Sequence, residues 1–187
     1  MRNTLKATTL ERKFPLLAVE NGCIVSKDAD ITVAFSVELP ELFTVTSTEY
    51  EAIHSAWYKA IKVLPDFSII HKQDFFIKEN YQPDIQKNEL SFLSRSFERH
   101  FNERPFLNHY CYLFLTKTTK EKSRRQSDFS TCRGRIIPKE IEDKETVNKF
   151  LEAVGQFEKI MNDSGFITLT RLETPEITGQ ERASGNY

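Results

Sequence analysis

The chain has 187 residues, 39% of them hydrophobic and 15 of them Phe, with 26 Lys+Arg against 27 Asp+Glu and a net charge of −1. That length and apolar content predict one domain with a full core, and the balanced charge excludes a global electrostatic drive towards nucleic acid or acidic lipid. The three cysteines, at 23, 111 and 132, form no Cys-x-x-Cys, which fits a reduced cytoplasmic protein, and the positively charged N-terminus lacks the apolar run of a secretory signal.

Residues 1–13 are polar and basic and read as a flexible arm. Leu16–Val19 and Cys23–Val25 flank Asn21-Gly22, the strongest short hairpin signal, because a type I′ turn needs positive φ at both central residues. Ile31, Val33, Phe35, Val37 and Leu39 then alternate with smaller or polar residues, the pattern of a half-buried strand. Pro40 closes this three-stranded meander. Thr46-x-x-Glu49 and Thr48-x-x-Glu51 both read as capping boxes for a helix that carries Tyr50, Ile53, Trp57, Ile61 and Leu64 on one face and stops before Pro65.

A long strand is expected over about 67–78, with Phe67, Ile69, Phe75 and Ile77 in one phase, followed by a turn at Tyr81-Gln82-Pro83-Asp84. A second helix, from about Asn88 to Arg104, carries a stripe of Leu90, Leu93, Phe97 and Phe101. The densest apolar segment, Phe106–Leu115, follows Pro105. It is too short to span a bilayer, which takes about 20 residues. Tyr110, Tyr112 and Phe114 fill one phase and Cys111, Leu113 and Leu115 the other, which predicts a central strand covered on both faces. After a basic segment and Pro138, a third helix begins near Asp143 with Val147, Phe150, Leu151, Val154, Phe157 and Met161 on its buried face and Gly165 as its left-handed cap; a last strand, 166–172, turns Ile167 and Leu169 inward. The order β-β-β-α-β-α-β-α-β predicts an α+β fold, a mixed, largely antiparallel sheet of about six strands with three packed helices.

Chemistry is harder to find. No Gly-x-x-x-x-Gly-Lys-[Ser/Thr] and no Gly-x-Gly-x-x-Gly occurs among the six glycines, so these residues hold no phosphate loop of that kind. His54, His71, His100 and His109 have no metal-ligand spacing and read as hydrogen-bonded structural residues. Cys111 reads as an inert buried thiol, Cys132 as a loop cysteine, and Asp74 and Glu79 have no evident acid–base partner. No catalytic, cofactor-binding or metal site is assigned. The one conspicuous charge feature is the loop 116–138, whose Lys117, Lys120, Lys122, Arg124, Arg125, Arg133 and Arg135 face only Glu121 and Asp128; these are the candidate interaction residues. Phosphate contact with nucleic acid through 117–135 is the functional alternative to a solvated loop, although only Phe129 is available for a base to stack on.

Several stretches match a familiar wording: Asn21-Gly22, Val37-Glu38-Leu39, Thr48-Glu49-Tyr50, Val63-Leu64-Pro65-Asp66, Phe97-x-x-x-Phe101-Asn102-Glu103-Arg104-Pro105 and Tyr110-Cys111-Tyr112-Leu113-Phe114-Leu115. The chain thereby resembles the N-terminal region of the TraG-type ATPases of conjugative transposons, which belong to the large cytoplasmic ATPases that energise type IV secretion systems. The resemblance implies a single α+β domain over 14–172 and a linker over 173–187 towards a C-terminal ATPase domain that is absent here. ATP and Mg are expected in that domain only, so this chain is expected to be non-catalytic and to hold no cofactor. It further implies docking on inner-membrane secretion components, self-association through the full-length ATPase, no membrane span of its own, and a place at the inner face of the cytoplasmic membrane.

Overall fold

The fold is a computed structural model that describes residues 14–27, 30–81, 91–118 and 144–179. The 1–13 arm and residues 119–143 and 180–187 of the expected loop and linker lie outside the described residues. Strands β1 (Leu16–Glu20) and β2 (Cys23–Ser26) form the expected hairpin. Asn21 and Gly22 have φ of 52° and 67°, the left-handed pair that a type I′ turn requires. Strand β3 (Ile31–Glu38) completes the meander and buries Val33, Phe35 and Val37.

Helix α1 (Ser47–Val63) starts at the first of the two candidate boxes. The Glu49 backbone N–H donates to Thr46 Oγ1 (3.3 Å), and the Thr46 backbone N–H donates to Glu49 Oε2 (2.7 Å). Thr48 is already helical. The inward face of α1 is rotated from the expected stripe. Ala56 and Ala60 are buried beside Ile53, Trp57 and Leu64, while Tyr50 and Ile61 are exposed. Small side chains bring the helix close to its neighbours, so the alanines form the contact.

Strands β4 (Ser68–Glu79), β5 (Phe106–Lys117) and β6 (Thr168–Arg171) complete a six-stranded sheet of order β1-β2-β3-β5-β4, with β6 also on β3. Every pairing is antiparallel. Strand β2 lies along Ile31–Val33 and β6 along Phe35–Glu38, so the two share one edge of β3 end to end. Helix α3 (Lys144–Asp163) and α1 cover one face. Phe150, Val154, Phe157 and Met161 of α3 meet Cys111, Leu113 and Leu115 of β5 in the core, as their spacing predicts. Gly165 has φ +73° at the end of α3. Asn162 then ties α3 to β6: its Nδ2 donates to the Leu169 carbonyl (3.1 Å), and its Oδ1 accepts from the Leu169 N–H (2.7 Å). Within the 173–187 stretch, Thr174–Thr178 forms a short helix, α4. Its Thr174 hydroxyl accepts from the Gly22 N–H at 2.9 Å.

Two expectations need correction. Among the described residues, helices cover strand β5 on one face only: Cys111, Leu113 and Leu115 are buried, but Tyr110, Tyr112 and Phe114 are half-buried. The apolar phase of β4 is on that same open side. Phe67, Ile69, Phe75 and Ile77 are exposed, and the opposite phase supplies Ile70 to the core. An apolar alternation gives a phase but not the side on which helices will land. Beyond Val37↔Cys111, β5 no longer pairs with β3, and residues 106–110 pair with β4 alone. The β4–β5 ribbon thus projects from the sheet as an arm. Helix α2 (Phe92–Asn102) connects the two strands at its far end. The expected α2 stripe is not buried: Leu93, Phe97 and Phe101 are 79%, 64% and 43% exposed, while Leu90, like the turn expected at 82–84, lies outside the described residues.

A candidate docking cleft at the root of the arm

A large apolar recess lies where the arm leaves the sheet. It encloses about 760 Å³, within the range of roughly 300–1,000 Å³ typical of binding pockets. One wall is the β3–α1 connection with Leu39, Pro40 and Val45; a second is α1, with Tyr50, Ile53 and Trp57; His109 of β5 and Ile167 close it. Trp57 is anchored from behind by Phe157, edge-to-face at 6.0 Å between centroids. Its indole N–H has no acceptor among the described residues. Two backbone donors near the start of α1 are taken by the Thr46–Glu49 box, whose backbone and then side-chain hydrogen bonds hold the Glu49 carboxyl below its ordinary value.

A polar row runs beside the recess on the helix-covered side of the arm. Asp74 accepts from Lys72 Nζ (2.6 Å) and pairs with His109 Nε2 (2.8 Å). Lys72, then His109, hold the Asp74 carboxyl at about 2, so it stays ionised. An ionised carboxylate only accepts, so His109 Nε2 carries the proton. The other face of the His109 region is taken by Phe76, stacked at 4.7 Å and 10°. Burial, then the Asp74 carboxylate, push the Cys111 thiol up, which fits the inert role expected of it. Glu79, on the opposite side of the ribbon, accepts from the Tyr110 hydroxyl (2.9 Å) and Asn108 Nδ2 (3.0 Å). Each acid thus has partners across the ribbon, His109 for Asp74 and Tyr110 with Asn108 for Glu79, which no sequence spacing announces; Lys72, two residues before Asp74 on β4, is the one partner that spacing could have shown.

A match to a known family falls on this region. Residues 3–55 match the model of a domain of unknown function, B. Theta Gene description (DUF3875). The matched stretch contains the meander and the first half of α1, hence the Leu39–Ile53 wall of the cleft. No curated protein matches the chain.

Of the candidate interaction residues, Lys117 is the one described. Its Nζ donates to the Asp66 carbonyl (2.5 Å) and lies 5.7 Å from the centroid of Phe67, against the body of the protein. Lys120, Lys122, Arg124, Arg125, Arg133 and Arg135, with Cys132, lie outside the described residues. Among the described residues no cluster of His, Cys, Asp and Glu could hold a metal ion, and no helix is long and apolar enough to cross a membrane. The arrangement is one that can take up an apolar side chain and offer it one N–H donor and an acidic rim of Glu41 and Glu51.

Proposed function

We propose that the chain is a non-catalytic docking and assembly domain, acting as the N-terminal part of a conjugative-transfer ATPase of the TraG type. The observation that carries the docking half is the apolar cleft at Trp57, walled by Tyr50 and Ile53 and open to solvent beside an arm with further exposed aromatics. Tryptophan is enriched among the residues that carry binding energy at interfaces, and Trp57 is half-buried, backed by Phe157, with no acceptor for its N–H among the described residues. The conjugation half is supported by the resemblance of the stretches quoted above. On this reading the partners are inner-membrane components of the secretion complex, the protein works at the inner face of the cytoplasmic membrane, and ATP and Mg belong to a C-terminal domain.

Trp57 is the single tryptophan of the chain, so its emission reports on the cleft directly. Titration with the purified cytoplasmic segments of the inner-membrane secretion components is expected to shift that emission. Tyr50→Ala should abolish the shift without moving the unfolding midpoint. Full binding by Tyr50→Ala, or no binding by the native chain, removes the docking reading. The ATPase half is tested apart from it: the native coding frame is expected to continue beyond Tyr187 into a Gly-x-x-x-x-Gly-Lys-[Ser/Thr] motif, and a frame without one removes that half. The nucleic-acid alternative rests on the composition of 117–135, of which Lys117 and Thr118 are described.

A further inference from the structure

The arm carries a second surface, independent of the cleft. Strand β4 is an edge strand: it pairs with β5 over its whole length, Ser68–Glu79, and with no other strand among the described residues. Exposed edges are ordinarily blunted by proline, a bulge or an unmatched charge, because open N–H and C=O groups recruit another strand. This edge has no proline, and its register with β5 runs unbroken from Ser68↔Lys117 to Glu79↔Phe106. Its charges, Lys72, Asp74 and Lys78, are the only remaining guard on the helix-covered side.

We infer that β4 pairs antiparallel with β4 of a second copy of this chain, about a two-fold axis through Phe76. A two-fold axis normal to the sheet keeps both faces in register only if residue i meets residue c − i with c even. An axis at Asp74 sets Asp74 against itself, and an axis at Phe75 sets Lys72 against Lys78. An axis at Gln73 sets Lys72 against Asp74, but those two already form an ion pair within each chain at 2.6 Å, so little new is made. The axis at Phe76 sets Lys78, which has no ion-pair partner among the described residues, against Asp74, twice. It also sets Phe75 against Ile77 twice and Phe76 against itself, which are favourable cross-strand pairs.

The exposed apolar surface of the arm is of the right size. Phe76, Phe92, Leu93, Phe97 and Leu107 are each more than three-fifths exposed. At about 150–250 Å² per aromatic side chain these five present roughly 600 Å² per copy, and the β4 edge adds to it, against the roughly 800 Å² per partner of a stable interface. The register also carries Tyr81 opposite the partner's His71. Helix α2, which touches Tyr81 through Phe101 at 6.3 Å, is thereby brought towards the second copy.

Sedimentation equilibrium on the full chain tests the state, and single cysteines, introduced after Cys23, Cys111 and Cys132 are replaced by Ala, test the register. Directly opposed residues sit about 4.5–5.5 Å apart at Cα, inside the span of a disulfide. The native chain is expected to be a dimer at tens of micromolar. Phe76→Cys should give a disulfide-linked dimer under mild oxidation, and Gln73→Cys should not. Lys78→Glu should raise the dimer dissociation constant about tenfold and leave the circular dichroism unchanged. A monomeric native chain, cross-linking at Gln73→Cys in place of Phe76→Cys, or a dimer indifferent to Lys78→Glu each overturns the inference. None of these outcomes bears on the cleft, whose reading fails only by the fluorescence titration.

Discussion

His109 Nε2 lies 2.8 Å from Asp74 Oδ1 although strand register sets neither residue against the other: Asp74 is opposite Cys111 and His109 opposite Phe76. The contact is a diagonal across the β4–β5 pair, of the kind that long side chains make between next-nearest positions. It joins the arm's two strands at the point where β3 drops out of the sheet, where the backbone ladder alone must hold the ribbon.

That diagonal fixes how the ribbon responds to acid. The Asp74 carboxyl is lowered from 3.8 to about 2, with Lys72 the leading cause and His109 the next. A depressed carboxyl contributes stability that is fully present above its unfolded value and is lost as pH falls through its folded value. The contribution of Asp74 therefore persists down to about pH 4 and disappears between about pH 4 and pH 2. Carbon-detected NMR of the Asp74 carboxyl should give a midpoint near 2 that rises in Lys72→Ala; a midpoint at 3.8 in the native chain would mean that the cluster does not form in solution.

Core and arm should separate cleanly under truncation. Phe157 is fully buried beneath Trp57, and Phe157→Ala is expected to cost about 3–5 kcal/mol in urea unfolding. Phe97 is exposed on α2, and Phe97→Ala, compared at a concentration low enough for the chain to be monomeric, should stay within about 0.5 kcal/mol. Equal costs would place α2 in the core, against the exposure of its stripe.

Gly22 tests the hairpin. Its φ of +67° is in the left-handed region, and a Cβ there would approach the Leu172 carbonyl to 3.2 Å. Gly22→Ala is expected to lower stability by about 1–2 kcal/mol, through both the conformational penalty and the crowding of the Leu172 backbone just after β6. Thermal unfolding decides it, and a stabilised variant would rule out the turn geometry.

The two candidate boxes of α1 can be distinguished in the same way. Thr46→Ala removes the hydroxyl that accepts from the Glu49 N–H and should cost about 1 kcal/mol. Thr48 lies within the first turn, and Thr48→Ala should change little or gain slightly, since alanine is the better helix former. A larger loss at Thr48 than at Thr46 would move the start of the helix.

The features legible in the sequence are those decided by near neighbours. Asn21-Gly22 selects its turn without help, Thr46-x-x-Glu49 closes on itself, and the Phe150–Met161 face of α3 follows from a 3.6-residue period. Position Gly165 follows in the same way from the needs of a helix end. The features that stayed hidden depend on what packs where. Phe67, Ile69, Phe75 and Ile77 share a phase whichever side the helices choose, and nothing local says that α1 and α3 take the other side. The α2 stripe of Leu93, Phe97 and Phe101 has the pattern of a core helix yet stands on the end of an arm. The cleft draws on positions from Leu39 to Ile167, and His109 and Asp74 meet only once β4 and β5 have chosen a register.

The sharing of one edge of β3 by β2 and β6 has a consequence for the order of events in synthesis. Strand β3 can acquire β2 as soon as the first forty or so residues are made, but the remaining half of that edge, Phe35–Glu38, waits for Thr168–Arg171. Contacts so distant along the chain are slow to close, since the loop entropy is lost before any contact compensates it. A ribosome carrying the chain therefore exposes an open half-edge at β3 until Thr168–Arg171 has been made, beside the apolar side chains of Phe35 and Val37. The last strand acts as a latch, and a nascent chain that stalls before it is the form most prone to pair with the wrong neighbour.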